Sequence, residues 1–157
     1  MDPVYFETQF ECAEESTDWP EEFAIIAAYA MTGENWPEPK NQAADKQLET
    51  ELRKKGLLVR RVTGFSPATG HREPGWAAAL DVEAACEIGL RFKQDAIYYV
   101  AGDTLGVSFC DSRRALVEIG SFRECLHFAG SLKYVHWIKA ESAKRLPTKK
   151  PSKERNV

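Results

Sequence analysis

One short apolar segment limits what this chain can fold into. Residues 23–29, Phe-Ala-Ile-Ile-Ala-Ala-Tyr, form its longest apolar run, and Pro20 and Gly33 flank them. A helix that crosses a bilayer needs about 20 such residues, so this run is too short to span a membrane. A short, continuous apolar run between turn-forming residues is typical of a strand buried on both faces. The segment therefore predicts a central strand in a globular domain.

Two amphipathic segments predict helices. The first has an apolar residue at every fourth position, which places these residues on one face: Ala44, Leu48 and Leu52. We predict that Asn41 caps the start of this helix and that residues 54–56, Lys-Lys-Gly, end it. A second helix is predicted over about residues 82–93, with Asp81 as its N-cap.

The remaining apolar segments predict strands. They lie at residues 57–63, 76–80, 96–101, 105–110 and 115–119, and an edge strand is possible within residues 3–12. Loops are predicted at residues 32–40 and over the twelve residues 64–75, which are rich in Gly and Pro. The order β-α-β-β-α-β, followed by a strand meander, predicts an α+β two-layer sandwich. Its mainly antiparallel, ferredoxin-like sheet would carry helices on one face.

The two ends of the chain carry opposite charge. Residues 1–22 hold eight acids and no Lys or Arg, whereas residues 133–157 hold eight bases and two acids. We predict one domain over residues 1–122 with an acidic N-terminal segment, and a C-terminal extension over residues 123–157 with a basic tail. Such ends can bind nucleic acid, a partner or each other, or are simply solvated. Without a signal-peptide pattern, a soluble cytoplasmic protein is expected.

The loops carry the first group of candidate site residues. His71 and Glu73 lie two apart, so in extended chain they share a face and could act as a base with its orienting partner. Alternatively, Glu73 anchors its loop, and Gln94 only stabilises a helix-to-strand corner. The candidate ligand-binding residues are Thr32, Asn41, His71, Glu73, Trp76 and Gln94. The sequence has no G-x-S-x-G nucleophile motif, so no catalytic residue is predicted.

A second group mixes aromatic and basic residues near the C-terminus. Its candidate nucleic-acid or partner-binding members are Lys133, Tyr134, Trp137, Lys139, Lys144 and Arg145. Aromatic side chains between bases suit single-stranded nucleic acid. The alternative is a final element packed on the core with its lysines in water.

No cofactor or metal is expected. The four cysteines are far apart: Cys12, Cys86, Cys110 and Cys125. They contain no C-x-x-C pair, and the approach of Cys125, His127 and His136 matches no common zinc spacing. Neither glycine-rich phosphate-binding motif is present.

Several segments carry a family resemblance. They are Val-Tyr-Phe-Glu-Thr-Gln-Phe at residues 4–10, the run at 23–29, Asn-Gln-Ala-Ala-Asp-Lys-Gln-Leu at 41–48, His-Arg-Glu-Pro-Gly-Trp at 71–76 and Phe-Lys-Gln-Asp-Ala-Ile-Tyr at 92–98. Through them the chain resembles a bacterial and phage family, domain of unknown function 3293. This chain has Lys93 where the family usually has glycine, and Trp36 separates Asn35 from Pro37. The resemblance implies one compact domain in a bacterial or phage cytoplasm, without an assigned activity.

Three functions compete at this point. The first is a binding or regulatory domain that acts through a protein or nucleic-acid partner. The second is a hydrolase or nucleotide-handling enzyme that uses the His71/Glu73 loop. The third is a phage- or defence-related inhibitor whose acidic N-terminal segment imitates nucleic acid. We expect ligand binding if the loops at residues 32–41 and 64–76 meet around a concave pocket.

Overall fold

Strands in groups of one to three are separated by helices in the computed structural model, which describes residues 1–15, 18–31, 33–55 and 57–144. The strands are β1 Gln9–Cys12, β2 Glu22–Ala27, β3 Val59–Phe65, β4 Arg72–Ala78, β5 Ala96–Ala101, β6 Thr104–Phe109, β7 Val117–Ser121 and β8 Leu126–Phe128. The helices are α1 Val4–Glu7, α2 Glu38–Lys54, α3 Val82–Arg91, α4 Phe122–Cys125 and α5 Leu132–Lys144. Among these described helices, none has the length and apolar character needed to cross a bilayer.

The strands form one sheet in the order β7-β6-β5-β2-β4-β3-β1-β8. Every neighbouring pair is antiparallel except β1 and β8, which run parallel. The predicted α+β class and mainly antiparallel sheet are therefore confirmed. The apolar run forms β2 near the centre of the sheet, and the four residues that follow Glu22 in it are all buried.

The sheet is strongly curled. Phe10 on β1 and Tyr98 on β5 are four strand spacings apart in the sheet order, which would be about 19 Å in a flat sheet. Their ring centroids are 5.1 Å apart, and the Phe10 ring is also 6.0 Å from that of Phe122. The sheet therefore has a concave face, which bears Phe10 and Tyr98, and a convex face that α2 and α3 cover.

Helices lie on both sides of this sheet, so the prediction of helices on one face is not confirmed. The convex core includes Leu48 and Leu52 of α2 and Cys86 of α3, as the helical periodicity predicts. The short helix α4 instead places Phe122 in the concave core. Thr8, just after α1, is bound by the Tyr98 hydroxyl on that same side.

The predicted loop over residues 64–75 is mostly a β-hairpin, so that prediction was wrong. Strand β3 continues to Phe65, which pairs with Arg72 at the start of β4. Residues 66–71 make the turn. Pro74 is tolerated in β4 because pairing with β2 ends at Gly75, so one edge of β4 needs no N–H there.

Several predicted element ends and types also differ. Helix α2 starts at Glu38, and Asn41 does not cap it but accepts a hydrogen bond from the Ala30 backbone N–H at 2.9 Å. Asp81 caps α3 as predicted, because it accepts from the Ala84 N–H at 2.7 Å. The N-terminal segment forms α1 and then β1, which is not an edge strand but lies between β3 and β8. Residues 133–139, the aromatic and basic segment near the C-terminus, belong to helix α5.

A buried carboxylate joins α2 to the sheet. Asp45 receives two hydrogen bonds from the Arg61 guanidinium, at 2.7 and 2.6 Å, and one from the Trp76 indole N–H at 3.1 Å. The Arg61 guanidinium lies 3.7 Å from the centroid of the Trp76 ring. These three residues, called the Asp45 cluster below, connect α2, β3 and β4. All of the hydrogen-bonding side chains are paired, as a buried charge requires.

Replacement of Asp45 by alanine should be strongly destabilising. It leaves the Arg61 charge and the Trp76 N–H without their partner, so we expect a loss of about 2–3 kcal/mol in the free energy of unfolding, measured by urea denaturation. Lys46→Ala on the exposed side of the same helix removes only a surface ion pair and should change stability by less than about 0.5 kcal/mol. Equal effects of the two substitutions would contradict this role for Asp45.

Lys93 has a backbone conformation that favours glycine. It follows α3 with φ of 58°, and its N–H donates to the Leu90 carbonyl at 3.0 Å. A side chain in this left-handed region is strained by the approach of Cβ to the backbone. The departure from the family pattern at this position therefore has a conformational cost.

Lys93→Gly should relieve this strain. We expect the free energy of unfolding to rise by about 0.5–1 kcal/mol, since relief of a left-handed side chain exceeds the entropy cost of glycine. Lys93→Ala keeps the Cβ and serves as the matched control, with no comparable gain expected in thermal or urea unfolding. A glycine variant no more stable than the alanine variant would show that Lys93 is unstrained.

Candidate functional site: a cavity on the concave face

A cavity of about 540 Å³ opens on the concave face at one end of the sheet. The ends of β1 to β5 form its floor, and its rim comes from α1, residues 30–31 and 33–34, the hairpin turn and the corner between α3 and β5. We call it the concave cavity. The two loop regions that the sequence singles out, near residues 32–41 and 64–76, therefore meet around one pocket.

The floor of the concave cavity is largely apolar and is built from small and large side chains together. Its apolar residues include Phe10, Ile25, Ala27, Val62, Gly64, Phe65, Gly75 and Ala96. The polar groups stand at the rim and on the strand ends, and include Asp2, Tyr5, Glu34, His71, Glu73, Gln94, Asp95 and Tyr98. An apolar pocket with a few polar groups is the usual form of a small-molecule site.

Glu73 is the most constrained charge in the cavity. It lies near the start of β4, and its side chain is only 29% exposed. Burial raises the pKa of the Glu73 carboxyl above its usual value, and the His71 imidazole opposes part of that rise. The His71 Nε2 atom is 3.8 Å from Glu73 Oε2, beyond hydrogen-bond distance. The carboxylate therefore faces the cavity without a close cationic partner among the described residues.

Gln94 presents a free acceptor to the cavity. It is 9% exposed and lies at the corner before β5, where its Nε2 donates to the carbonyls of Tyr29 at 2.8 Å and Phe92 at 3.1 Å. Because a carbonyl only accepts hydrogen bonds, these two contacts fix which end of the amide is nitrogen. The Oε1 atom receives no hydrogen bond within the described part of the chain. It is therefore available to a donor in the cavity.

Two tyrosines hold α1 over the cavity. The Tyr98 hydroxyl donates to Thr8 Oγ1 at 2.7 Å and lies 3.3 Å from the Tyr5 carbonyl. The Tyr5 and Tyr98 ring centroids are 6.2 Å apart. Burial, with nearby carboxylates, raises the pKa of Tyr5 to about 12, and burial also raises that of Tyr98. Both phenols therefore stay protonated and provide neutral aromatic walls.

The structure brings together only part of the predicted ligand-binding set. His71, Glu73 and Gln94 all line the cavity. Trp76 does not, because its side chain lies on the convex face in the Asp45 cluster. Asn41 supports the site indirectly by holding the Ala30 backbone, and Thr32 lies outside the described residues.

Sequence reasoning missed the site residues of α1 and β5. Strand alternation places Tyr98 on the same face as Ala96, and Gln94 precedes Ala96 by two residues. Since Gln94 was a candidate, this spacing could have indicated Tyr98 as a site residue. Asp95, next to Gln94 at the corner before β5, was not among the candidate residues. Asp2 and Tyr5 had no such signal, because they reach the cavity through a tertiary contact about ninety residues away along the chain.

The second candidate group lies elsewhere. Tyr134 is 8% exposed and stacks on His127, which also stacks on Trp137. Both α5 aromatics contact Phe65, so they pack on the domain instead of offering an open stacking surface. The lysines of the group are exposed, namely Lys133, Lys139 and Lys144, and Arg145 lies outside the described residues. A partner for these lysines stays a prediction.

The acids of the N-terminal segment are not gathered on one surface. Asp2 lines the concave cavity. Glu11 forms an ion pair with Arg72 at 2.7 Å and is bound by the Tyr134 hydroxyl of α5. Because Glu11 follows Phe10 in β1, its side chain points to the opposite, convex face. The inhibitor hypothesis stays untested by these contacts, although they do not favour a single acidic face.

Together the sheet and the cavity define an α+β domain with one candidate ligand site on its concave face. Residues 26–97 match the model of the family described as Protein of unknown function (DUF3293), so the resemblance seen in the sequence is confirmed over that segment. The segment contains Glu73, His71 and Gln94, whereas Asp2, Tyr5 and Tyr98 lie outside it. No curated protein and no solved structure matches the chain.

The raised pKa of Glu73 predicts that ionisation of this carboxyl lowers the free energy of unfolding. The folded protein holds the Glu73 proton at pH values where the unfolded chain has already released it. The free energy of unfolding therefore falls as pH rises from about 4.3, the usual glutamate pKa, through the raised value. Glu73→Gln keeps the shape without the charge, so at neutral pH we expect the Tm to rise by about 2–4 °C.

Two comparisons check this expectation. The gain in Tm should disappear below the usual glutamate pKa, where the Glu73 carboxyl is neutral in both the folded and the unfolded state. It should also be absent in Glu118→Gln, which changes an exposed carboxylate on β7. Thermal unfolding followed by circular dichroism measures both. A lower Tm for Glu73→Gln at neutral pH would mean that the charge stabilises the fold.

Proposed function

We propose that this chain is a small-molecule-binding domain and that its ligand occupies the concave cavity. The observation that carries the proposal is the cavity itself: about 540 Å³, largely apolar, with a few convergent polar groups. Ligand sites commonly measure about 300–1,000 Å³ and have this composition. The Glu73 carboxylate, which has only the His71 imidazole at 3.8 Å beside it, and the Gln94 oxygen are polar groups of the kind that orient a ligand.

The sheet supports a finer description of the scaffold. We infer that its centre follows a ferredoxin-like order, because β5, β2, β4 and β3 are neighbours in that sequence. Helix α2 connects β2 to β3, and α3 connects β4 to β5. A regulatory role, in a cytoplasmic setting and with a protein or nucleic-acid partner at the exposed lysines of α5, fits a ligand-responsive domain of this size.

A hydrolase that uses the His71/Glu73 pair is a second candidate. One observation favours it: a carboxyl with a raised pKa lies in a pocket beside an imidazole, as in general acid–base catalysis. The lining hydroxyl of Ser66 is occupied as an acceptor for the Thr69 N–H at 3.2 Å, which does not suggest an activated nucleophile. Such an enzyme would turn over its ligand, whereas the binding domain would release it unchanged.

Filling the cavity should abolish binding. Ala27 lies on the cavity floor in β2, so Ala27→Phe places a ring in the space that a ligand would use. Ala115→Phe makes the same change at an exposed position and is the matched control. In saturation-transfer NMR with a fragment library, we expect fragments that bind the native protein and Ala115→Phe to lose at least about tenfold in affinity for Ala27→Phe, or about 1.4 kcal/mol.

The two variants also define what would contradict the proposal. Circular dichroism and Tm show whether Ala27→Phe retains the fold. If it is folded and binds the same fragments equally well, the ligands lie elsewhere. If the native protein binds no fragment, the cavity is not a small-molecule site.

A further inference from the structure

We propose that the ligand of the concave cavity is a primary amine, protonated, on an apolar or aromatic body. This inference rests on the proposed function and specifies the chemistry of the same site. Three features carry it: the charge of the lining, the free acceptor of Gln94 and the aromatic walls.

The charged groups of the lining are acidic. Four carboxylates border the cavity: Asp2, Glu34, Glu73 and Asp95. No Lys or Arg is among the lining residues that the structure describes, and His71 is the one imidazole there. Charges of one sign around a low-dielectric pocket create a potential that attracts the opposite charge. The cavity therefore favours cations and disfavours phosphate and carboxylate ligands, nucleotides included.

Glu73 is suited to be the direct partner of the cation. The Glu34 carboxylate accepts from the Trp36 indole at 2.8 Å, and that of Asp2 from the Val4 N–H at 2.9 Å, whereas Asp95 is exposed to solvent. Glu73 has only His71 nearby, at 3.8 Å, and the His71 side chain is 69% exposed. Because a largely buried charge needs a partner, an ammonium group of the ligand at Glu73 would supply the close cationic partner that the described residues do not provide.

Gln94 independently indicates a hydrogen-bond donor. Gln94 lines the cavity and is nine-tenths buried, its nitrogen is already committed to two carbonyls, and its oxygen accepts no hydrogen bond within the described part of the chain. A ligand that binds there must donate. A primary ammonium has three N–H donors, so it can satisfy a carboxylate and an amide oxygen together. A quaternary ammonium has none, which is why we specify the amine.

The walls suit the rest of such a ligand. Tyr5, Phe10 and Tyr98 offer aromatic faces, on which cations and aromatic rings are both stabilised. Ile25 and Val62 form an apolar floor between them. Tyr5 and Tyr98 both lie close enough to Glu73 for its charge to raise their pKa values. The ammonium group of the ligand would therefore lie at Glu73, and its aromatic body would lie close by, against Tyr5 and Tyr98.

Three probes with one apolar body and different heads test the inference: phenylbutylamine, phenylbutanol and phenylbutyrate. Isothermal titration calorimetry with the full chain, at a pH where carboxylates are ionised, measures each Kd. We expect the amine to bind about tenfold more tightly than the alcohol, and the carboxylate to bind more weakly than either. Glu73→Gln should remove most of the preference for the amine over the alcohol, and Glu118→Gln should keep it.

The outcomes separate this inference from the proposed function. Equal binding of amine and alcohol, sensitive to Ala27→Phe but not to Glu73→Gln, would overturn the amine and leave the cavity as a binding site. Tighter binding of the carboxylate would overturn it too. If none of the three probes binds while neutral fragments still bind in an Ala27-sensitive way, the amine inference fails alone. If no compound binds at all, both fail.

Discussion

The buried carboxylate of Asp45 fixes the relation between α2 and the sheet, and the candidate site depends on that relation. Asp45 binds Arg61 of β3 and Trp76 of β4 through three hydrogen bonds, so α2 cannot slide along the convex face without leaving a charge unpaired. The first turns of the same helix carry Asn41, which holds the Ala30 backbone. The rim of the cavity at Ala30 is thereby positioned from the opposite side of the sheet.

The cavity exists because the two ends of the concave face are filled differently. At one end the Phe23 and Phe122 rings meet edge to face, with centroids 5.1 Å apart, and close the curl of the sheet. At the other end the strands carry Ala27, Gly64 and Gly75, which leave room above the floor. Gly75 has no alternative, since a Cβ there would lie 2.8 Å from the Ile26 carbonyl oxygen. A backbone contact on the strand thus keeps the pocket open.

The polar groups of the cavity lower the stability of the isolated fold and are available to bind a ligand. The carboxyl of Glu73, whose pKa burial raises, reduces what the isolated fold gains from burial, and the oxygen of Gln94 accepts no hydrogen bond within the described part of the chain. Proteins retain such groups where a ligand completes them. The acceptor-rich lining, combined with aromatic walls, is the reason that an amine is the chemistry we infer.

Local periodicity in the sequence was enough to predict most of the helices and strands and part of the candidate site. The spacing of Leu48 and Leu52 and the cap at Asp81 needed only neighbours in the chain, and alternation placed His71 with Glu73. The same alternation places Trp76 on the opposite face of the sheet, because Trp76 is an odd number of residues from Glu73. Only the tertiary structure decided that the loop after β3 is a hairpin, that the sheet curls, and that Tyr98 binds α1. Curl and long-range pairing depend on packing among residues far apart in sequence, which a local pattern does not encode.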